Sequence, residues 1–280
     1  MNGLKMFCLS LHDEHLENLQ KINYIPVGLG SEYFRKDWLK DNIGENISHK
    51  NKFYGEYTFH YWFWKNMINE IRDNVWIGFC AYRKYWAKNE IFKHKELNLM
   101  VNNSNFHELI LREPSVTWDN YESILVEKVP LGKIKISKIV KNADIKSFFC
   151  NIKNILLKKH NIKFHFDIFH GFGKIEKAIS LLDKKERDDF TKFVFENNSF
   201  NRENMFICKS KKIIKDYYKS VFRWLNDCEN LFGFNLKKWN EIRIYAFLAE
   251  RYLPFWFNKY SKTREWPFLF YDTHKNKLKI

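Results

Sequence analysis

Two short apolar runs near the amino terminus have the length of β-strands. They cover residues 4–11 and 23–27, and each ends in residues typical of loops. Aromatic and aliphatic residues then recur at helical spacing over 55–71, which predicts a helix. The following run, 75–82, is apolar almost throughout, as expected for a central strand buried on both faces. The order strand, strand, helix, strand predicts a nucleotide-binding α/β sheet.

The pattern weakens after residue 86 and becomes clear again near the carboxyl terminus. A strand is predicted over 123–129, and helices are predicted over 143–159 and 183–197. A short strand at 204–209 and amphipathic helices at 213–231 and 239–256 complete the pattern. The sequence shows no internal repeat, low-complexity linker or boundary rich in proline and glycine, so one continuous α/β domain is the simplest organisation.

Composition indicates a globular protein with a buried core, because apolar residues make up 45% of the 280 residues. No apolar run reaches the ~18 residues that a membrane-spanning helix needs. The amino terminus lacks a small-residue cleavage site, so its apolar run predicts a first strand and not a signal peptide. The five cysteines are widely spaced without a CxxC pair, which indicates reduced core thiols in a cytosolic protein and no zinc site.

Positive charge is concentrated in one segment. The net charge is +15, and residues 131–160 contain eight lysines and a single acid, Asp144. Such a segment attracts nucleic acid, anionic membrane surfaces or phosphorylated small molecules. A lysine-rich composition inherited from an AT-rich genome would give the same excess without any partner. The sequence carries no helix-turn-helix, zinc-finger or RNA-binding signature, which disfavours nucleic acid as a partner.

Five sequence blocks occur in a recognisable order. They are 41–51 (DNIGENISHKN), 54–66 (YGEYTFHYWFWKN), 78–86 (GFCAYRKYW), 204–207 (NMFI) and 243–253 (RIYAFLAERYL). These blocks resemble those of a capsular and exopolysaccharide biosynthesis family, formerly of unknown function and regarded as glycosyltransferase-like with a GT-A fold. The chain departs from the family pattern at Gly55, Tyr57 and Ala81, and the last position lies at the end of the predicted central strand.

The resemblance implies an α/β, GT-A-like nucleotide-sugar-binding domain with a central mixed sheet and a helical carboxyl-terminal portion. It would be a single domain, in which 1–87 form the nucleotide-binding half and 88–280 hold the acceptor half and the terminal helices. The implied activity is hexosyl transfer from a nucleotide-diphosphate-sugar, a UDP-sugar by preference, to a growing capsular, exopolysaccharide or lipopolysaccharide glycan. The change at Ala81 keeps an alternative open, namely a catalytically inactive sugar-binding or assembly subunit.

The same resemblance predicts a cytoplasmic enzyme that meets a glycan or lipid-linked glycan acceptor at the inner face of the cytoplasmic membrane. Without an anchor in the sequence, peripheral binding to an anionic surface would depend on charge. The lysines of 131–160 and the basic, aromatic range 255–271 are the expected contact regions. The oligomeric state stays open.

The end of the predicted central strand is the main candidate for binding the donor diphosphate. Many GT-A enzymes carry an Asp-x-Asp there that holds Mn²⁺ or Mg²⁺, but this chain has Tyr82, Arg83 and Lys84. No metal or other cofactor is therefore firmly implied, and a role for Mn²⁺ or Mg²⁺ stays open. The two cations can neutralise a leaving diphosphate directly, Arg through paired hydrogen bonds and Lys as a point charge. The alternative is that Arg83 and Lys84 are simply solvated side chains at the end of the strand.

Further donor-binding candidates lie in the strand ends and loops of the first half and on the penultimate helix. They are Ser10, His12, Gly28, Asn46, Ser48, Lys50, Asn51, Glu56, Arg243 and Arg251. Glu56 begins the aromatic helix, where it either caps the helix or binds sugar or ribose hydroxyls. The run His12-Asp13-Glu14-His15 is rich in metal ligands, but adjacent residues rarely converge on one ion, so no metal site is predicted.

Catalytic and acceptor-binding candidates lie in the second half. Asp167, in the sequence FHFDIFHGFG, is the candidate base that activates the acceptor, against the alternative of a solvated loop carboxylate. Glu250 either presents its carboxylate to the acceptor or pairs with Arg243 or Arg251. Trp118 and Asp119 combine an aromatic platform with a carboxylate and are the candidates for gripping the acceptor sugar.

Overall fold

The computed structural model describes residues 3–30, 32–90, 104–132 and 160–272, together with positions 96, 98, 100–102, 137, 139, 152 and 155. The eight lysines of 131–160 therefore lie outside the described residues, as does most of the helix predicted over 143–159. The chain divides into two compact units. Unit 1 consists of Met1–Glu127, Glu203–Tyr218 and Phe257–Ile280, and unit 2 consists of Lys128–Arg202 and Lys219–Trp256.

Unit 1 is built on a mixed sheet. Its described strands are β1 (Leu4–Ser10), β2 (Ile25–Gly28), β3 (Leu39–Lys40), β4 (Trp76–Ala81), β5 (Lys84–Trp86), β6 (Ser123–Val126), β9 (Phe206–Cys208), β10 (Thr263–Trp266) and β11 (Phe268–Phe270). The spatial order is β10, β6, β9, β4, β1, β2, β3, and β5 pairs with both β4 and β11. Strands β4, β1, β2 and β3 are mutually parallel, whereas β9 runs antiparallel to its neighbours β4 and β6.

Helices of unit 1 follow the strands in α/β order. They are α1 (Leu16–Lys21), α2 (Asn51–Tyr54), α3 (Tyr57–Trp62) and α4 (Phe106–Leu109). A π-helical turn, Phe63–Met67, continues α3. The aromatics of this segment pack on the sheet, as shown by Phe63, whose ring centroid lies 5.2 Å from that of Phe7 and 5.2 Å from that of Phe79. The stripe of aromatic residues thus forms core, as its spacing predicts.

Unit 2 is mainly helical. Its elements are α5 (Ile162–His170), α6 (Lys174–Ile179), α7 (Lys184–Glu196) and α9 (Trp239–Ile242), with the small antiparallel pair β7 (Lys128–Pro130) and β8 (Ser199–Asn201). Helix α8 (Lys211–Phe232) begins in unit 1 and ends in unit 2, and α10 (Ile244–Tyr260) begins in unit 2 and ends in unit 1. The chain therefore passes between the units twice within a helix, and the expected single domain stays a prediction.

The observed elements confirm the α/β fold class, with a central mixed sheet and a helical carboxyl-terminal portion. Two predicted elements are split. The strand over 123–129 forms β6 in the main sheet and β7 in the small pair, and the helix over 239–256 breaks at Arg243. The thiols of Cys8, Cys80, Cys208 and Cys228 are free and buried, as expected.

The aromatic range near the carboxyl terminus differs from the prediction. Its rings belong to the core, with Phe257 and Trp266 at most 1% exposed, so they are not available to enter a membrane interface. Tyr260 is the large hydrophobic side chain of this range that is exposed. Within the described part of the chain, no helix combines the length and hydropathy that crossing a membrane requires.

Candidate functional site

The carboxyl ends of the four parallel strands lie along one edge of the unit 1 sheet. The register pairs Leu9 with Ala81, Ser10 with Gly28, and Gly28 with Lys40, so the ends of β4, β1, β2 and β3 are nearly level. In open α/β sheets, ligands bind in the crevice outside these carboxyl ends. We call this edge, with the loops that follow the four strands, the strand-end site.

Strand β4 ends in a tight hairpin at the strand-end site. Ala81 pairs with Lys84, so Tyr82 and Arg83 form the turn. The Arg83 guanidinium lies 4.8 Å from the centroid of the Tyr82 ring and 5.8 Å from that of Phe270. No carboxylate of the described residues lies within ion-pair distance of Arg83. Its positive charge is therefore held by aromatic rings and is available to an anionic ligand.

Lys84, on the other side of the turn, is already engaged. Its ammonium forms an ion pair with the carboxylate of Glu203, and both side chains are partly buried. A ligand phosphate would therefore share Lys84 with Glu203 or displace it. The sequence did not single out Glu203, because it lies far along the chain from the hairpin and matches no block of the resemblance.

Glu56 meets the residue that follows Glu203. The Asn204 amide nitrogen donates a hydrogen bond of 3.1 Å to the Glu56 carboxylate. Glu56 precedes α3, but its side chain makes no capping hydrogen bond with that helix. Glu56 therefore occupies the N-cap position of α3 without a capping hydrogen bond, and its half-buried carboxylate lies at the strand-end site.

The residues after β1 form an interlocked turn beside Tyr82. The Ser10 hydroxyl lies 3.1 Å from His15 Nδ1 and accepts a hydrogen bond of 2.9 Å from the His12 backbone N–H. Ser10 is 1% exposed, so its predicted role as a direct donor ligand is wrong: the hydroxyl shapes the turn instead. The His12 ring, about half exposed, packs edge-on to Tyr82 with centroids 5.3 Å apart. Burial lowers the pKa of His15, which keeps its ring neutral in this turn.

Gly28 and Gly30 let the chain pass closely after β2. A Cβ at Gly28 would lie 2.6 Å from the Phe34 ring, so this glycine is required for packing and its predicted ligand role has no side-chain basis. The Gly30 N–H donates to Asp41 Oδ1 at 3.0 Å. Asp41 is completely buried, and this burial raises its pKa. Asp41 opens the first block of the resemblance but was not predicted as a site residue.

The loop of residues 43–51 follows β3 and borders the same edge. Asn46 Oδ1 accepts from the Ser48 hydroxyl at 2.8 Å, which closes a local turn. The Asn51 amide donates to the Gly55 carbonyl at 2.9 Å and to the Thr58 hydroxyl at 3.1 Å. The Lys50 ammonium lies 5.9 Å from the centroid of the Tyr54 ring. The structure thus brings the four predicted residues of this loop together beside the strand ends. The hydrogen bonds of Asn46, Ser48 and Asn51 also fix the conformation of the loop.

Asp167 lies in unit 2, where its carboxylate is buried and bound by neighbouring groups of the protein. It is on helix α5 and not in a loop, and it is 2% exposed. Its carboxylate pairs with Lys163 at 2.6 Å and accepts from the Gly173 N–H at 3.1 Å. Burial raises its pKa, against the lowering effect of Lys163. These contacts fix the turn after α5, and they leave no support for the predicted role as an acceptor-activating base.

Arg251 and Glu250 form an ion pair, which is the predicted alternative to a Glu250 that faces the acceptor. Arg251 is 1% exposed and lies 3.2 Å from His165 Nδ1 and 3.2 Å from His170 Nε2, so its predicted donor-binding role is wrong. Burial and the nearby Arg251 charge lower the pKa of His165, which leaves that ring neutral as an acceptor. Arg243 lies at the break between α9 and α10, and its donor-binding role stays a prediction, as does the acceptor-facing role of Glu250.

The predicted acceptor platform is also corrected. Trp118 is completely buried, with its ring centroid 5.2 Å from that of Trp76 and 5.0 Å from that of Trp266. It therefore has no exposed face on which a sugar can stack. Asp119 is exposed, and its role stays a prediction.

A family model described as a domain of unknown function, DUF4422, matches residues 6–262. The chain belongs to this family. A solved structure of the bifunctional glycosyltransferase WbbM in its apo form superposes with a TM-score of 0.66 at 19% identity. The match covers 97% of this chain and 46% of that one, so this chain spans about half the length of the protein it resembles. A comparison with curated proteins finds no match.

The side chains of the strand-end site do not suit a divalent metal. The hairpin offers Arg83 and Lys84 where carboxylates would be needed, and Glu203 is paired with Lys84. Among the residues that the structure describes, no three His, Cys, Asp or Glu side chains converge as a metal site would require. The hairpin at this edge therefore carries two cations, Arg83 within the turn and Lys84 beside it.

Proposed function

We propose that the chain is a glycosyltransferase, and that its nucleotide-sugar donor binds at the strand-end site. The observation that carries the proposal is the placement of Arg83 and Lys84 in the hairpin that ends the central parallel strand. A leaving nucleoside diphosphate develops negative charge as the bond between the anomeric carbon of the donor sugar and the terminal phosphate oxygen breaks and the electron pair stays on that oxygen. Cations held in place before the reaction stabilise that charge without reorganisation, which is the largest single source of catalysis in many enzymes.

The neighbouring groups suit the other parts of such a donor. Glu56, held by Asn204, offers a carboxylate to sugar or ribose hydroxyls. His12 and Tyr82 present rings beside the ends of β1 and β4, where a nucleoside would lie next to the diphosphate. The likeness in fold to a glycosyltransferase and the membership of DUF4422 agree with this assignment.

The finer features follow the sequence resemblance and remain part of the proposal. They are a GT-A fold, a UDP-sugar donor, and an acceptor that is a growing capsular, exopolysaccharide or lipopolysaccharide glycan, free or lipid-linked. We expect the enzyme to work in the cytoplasm, peripherally at the inner face of the membrane. The lysines of 131–160 would supply the attraction.

The test is nucleotide binding followed by turnover. UDP, GDP and CDP are screened by thermal shift, since a ligand at 100 times its Kd stabilises the folded state by about 2.7 kcal/mol. UDP-sugars are then assayed for UDP release with and without glycan acceptors. A nucleotide that binds together with sugar-dependent release supports the proposal. Binding of a nucleotide-sugar without turnover on any acceptor supports the inactive sugar-binding subunit, and no binding of any nucleotide overturns the donor site.

A further inference from the structure

Two consecutive residues before β9 have left-handed backbone conformations. Glu203 has φ 85° and Asn204 has φ 49°. Residues with a Cβ rarely adopt such angles, and a long side chain such as Glu does so less readily than Asn. In the described part of the chain, the other non-glycine residues with positive φ are Asn23 and Asn74. Strain of this kind persists where surrounding contacts over-determine it, and it clusters at functional sites.

Both side chains of this strained turn contact residues of the strand-end site. Glu203 pairs with Lys84 of the hairpin, and Asn204 donates its amide to Glu56 before α3. The turn thus contacts both charged groups that the proposed function requires to be held in place, the Lys84 ammonium and the Glu56 carboxylate. Asn204 is 7% exposed, so its contact with Glu56 is shielded from competing water.

We infer that Glu203 and Asn204 are positioning residues of the donor site, an inference that rests on the proposed function. Asn204 orients the Glu56 carboxylate toward the hydroxyls of the donor sugar and not toward those of the ribose. Glu203 holds the Lys84 ammonium at the strand end until the diphosphate takes it over. Lysine needs such a partner, because its four-carbon stem is flexible and its charge is otherwise free to move.

The strain permits a sharp test, because glycine adopts positive φ without steric strain. Asn204→Gly and Glu203→Gly remove a side chain while relaxing the backbone. A turn that serves only the fold would give variants with unchanged turnover. A positioning turn gives variants whose Tm is unchanged or about 2 °C higher while turnover falls. Asn23→Gly and Asn74→Gly are matched controls, since both relax an exposed left-handed residue outside the strand-end site and should leave turnover as in wild type.

Each variant has its own expected signature. For Asn204→Gly, kcat falls about 100-fold, as for other misplacements near a reacting group, whereas the Kd for UDP is unchanged because UDP has no donor sugar. For Glu203→Gly, kcat falls while UDP binds about threefold more tightly, because Lys84 has lost its competing carboxylate. Asn204→Asp keeps the side-chain size and loses the amide donor, so it should lose turnover as Asn204→Gly does.

The measurements are kcat and KM for the donor, UDP affinity by calorimetry, and Tm. Wild-type turnover in Asn204→Gly and Glu203→Gly would overturn the positioning role while leaving the donor site in place. If turnover falls only in variants whose Tm also falls, the turn has a purely structural role, and the positioning role is overturned as well. A wild-type protein that binds no nucleotide would overturn the proposed function and this inference with it.

Discussion

Replacing Arg83 by Ala tests whether the hairpin cation is used in sugar transfer. In the proposed reaction, the Arg83 guanidinium donates paired hydrogen bonds to the leaving diphosphate. Removing one preorganised donor of this kind costs about 2.7 to 4 kcal/mol in the transition state, or 10²- to 10³-fold in kcat. We expect a loss of about that size.

The cost in stability should be smaller, because the contacts of Arg83 are with rings. Two cation–π contacts, to Tyr82 and Phe270, are present. At about 0.5 to 1 kcal/mol each, their loss lowers the free energy of unfolding by about 1 to 2 kcal/mol. Arg83→Lys keeps the charge but loses the paired hydrogen bonds, so its turnover should fall between those of wild type and Arg83→Ala.

The assay is UDP release from a UDP-sugar in the presence of acceptor, with kcat, KM and Tm measured for each variant. Lys212→Ala is the control, because Lys212 is 85% exposed, lies on helix α8 and forms a surface pair with Asp216 that contributes little. Turnover of Arg83→Ala within twofold of wild type, in a protein that does transfer sugar, would remove the hairpin from the catalytic site.

Three further predictions address the core and the charge. Burial lowers the pKa of His60 to about 3. Between this pH and about 6.5, the unfolded state therefore binds more protons at His60 than the folded state does. The free energy of unfolding should therefore decrease as pH falls through this window, by about 1.4 kcal/mol per pH unit from His60. In urea unfolding at several pH values, the free energy of unfolding of His60→Gln should depend less steeply on pH than that of wild type. Trp118→Ala should lower the free energy of unfolding by about 3 to 5 kcal/mol, as a buried aromatic does; a stable variant with weakened acceptor binding would restore the platform role. Vesicles containing anionic lipid should sediment the protein at low salt and release it as salt is raised, and replacing the lysines of 131–160 by Gln should abolish this; equal binding to neutral vesicles would contradict the charge argument.

The sequence predicts the elements whose signal is local. Strand β4 is an apolar run of strand length, and α3 with its π turn shows aromatic spacing, so both are found within a few residues of their true bounds. The α7 helix, bounded by an Asp183 cap, is likewise predicted well. The split of 123–129 into β6 and β7 is not predictable in this way, because it depends on which distant strands pair with each half.

The site residues divide in the same way. Arg83 and Lys84 were predicted because the strand before them is recognisable. Glu203 was missed, since its importance comes from an ion pair with a residue in a different segment of the chain. Trp118 was interpreted as a platform beside Asp119 and Asp167 as a loop carboxylate, whereas tertiary packing buries both side chains.

The position of β9 has a consequence for how the protein is made. This strand lies between β4 and β6, yet it is synthesised only after the whole first segment of unit 2, Lys128–Arg202. Until then, β4 presents a row of unpaired N–H and C=O groups on an apolar strand. Such an edge invites pairing with other chains. We therefore expect nascent or truncated chains that end before residue 206 to aggregate or to require chaperones, and the closing of the sheet late in translation to limit the yield of folded protein.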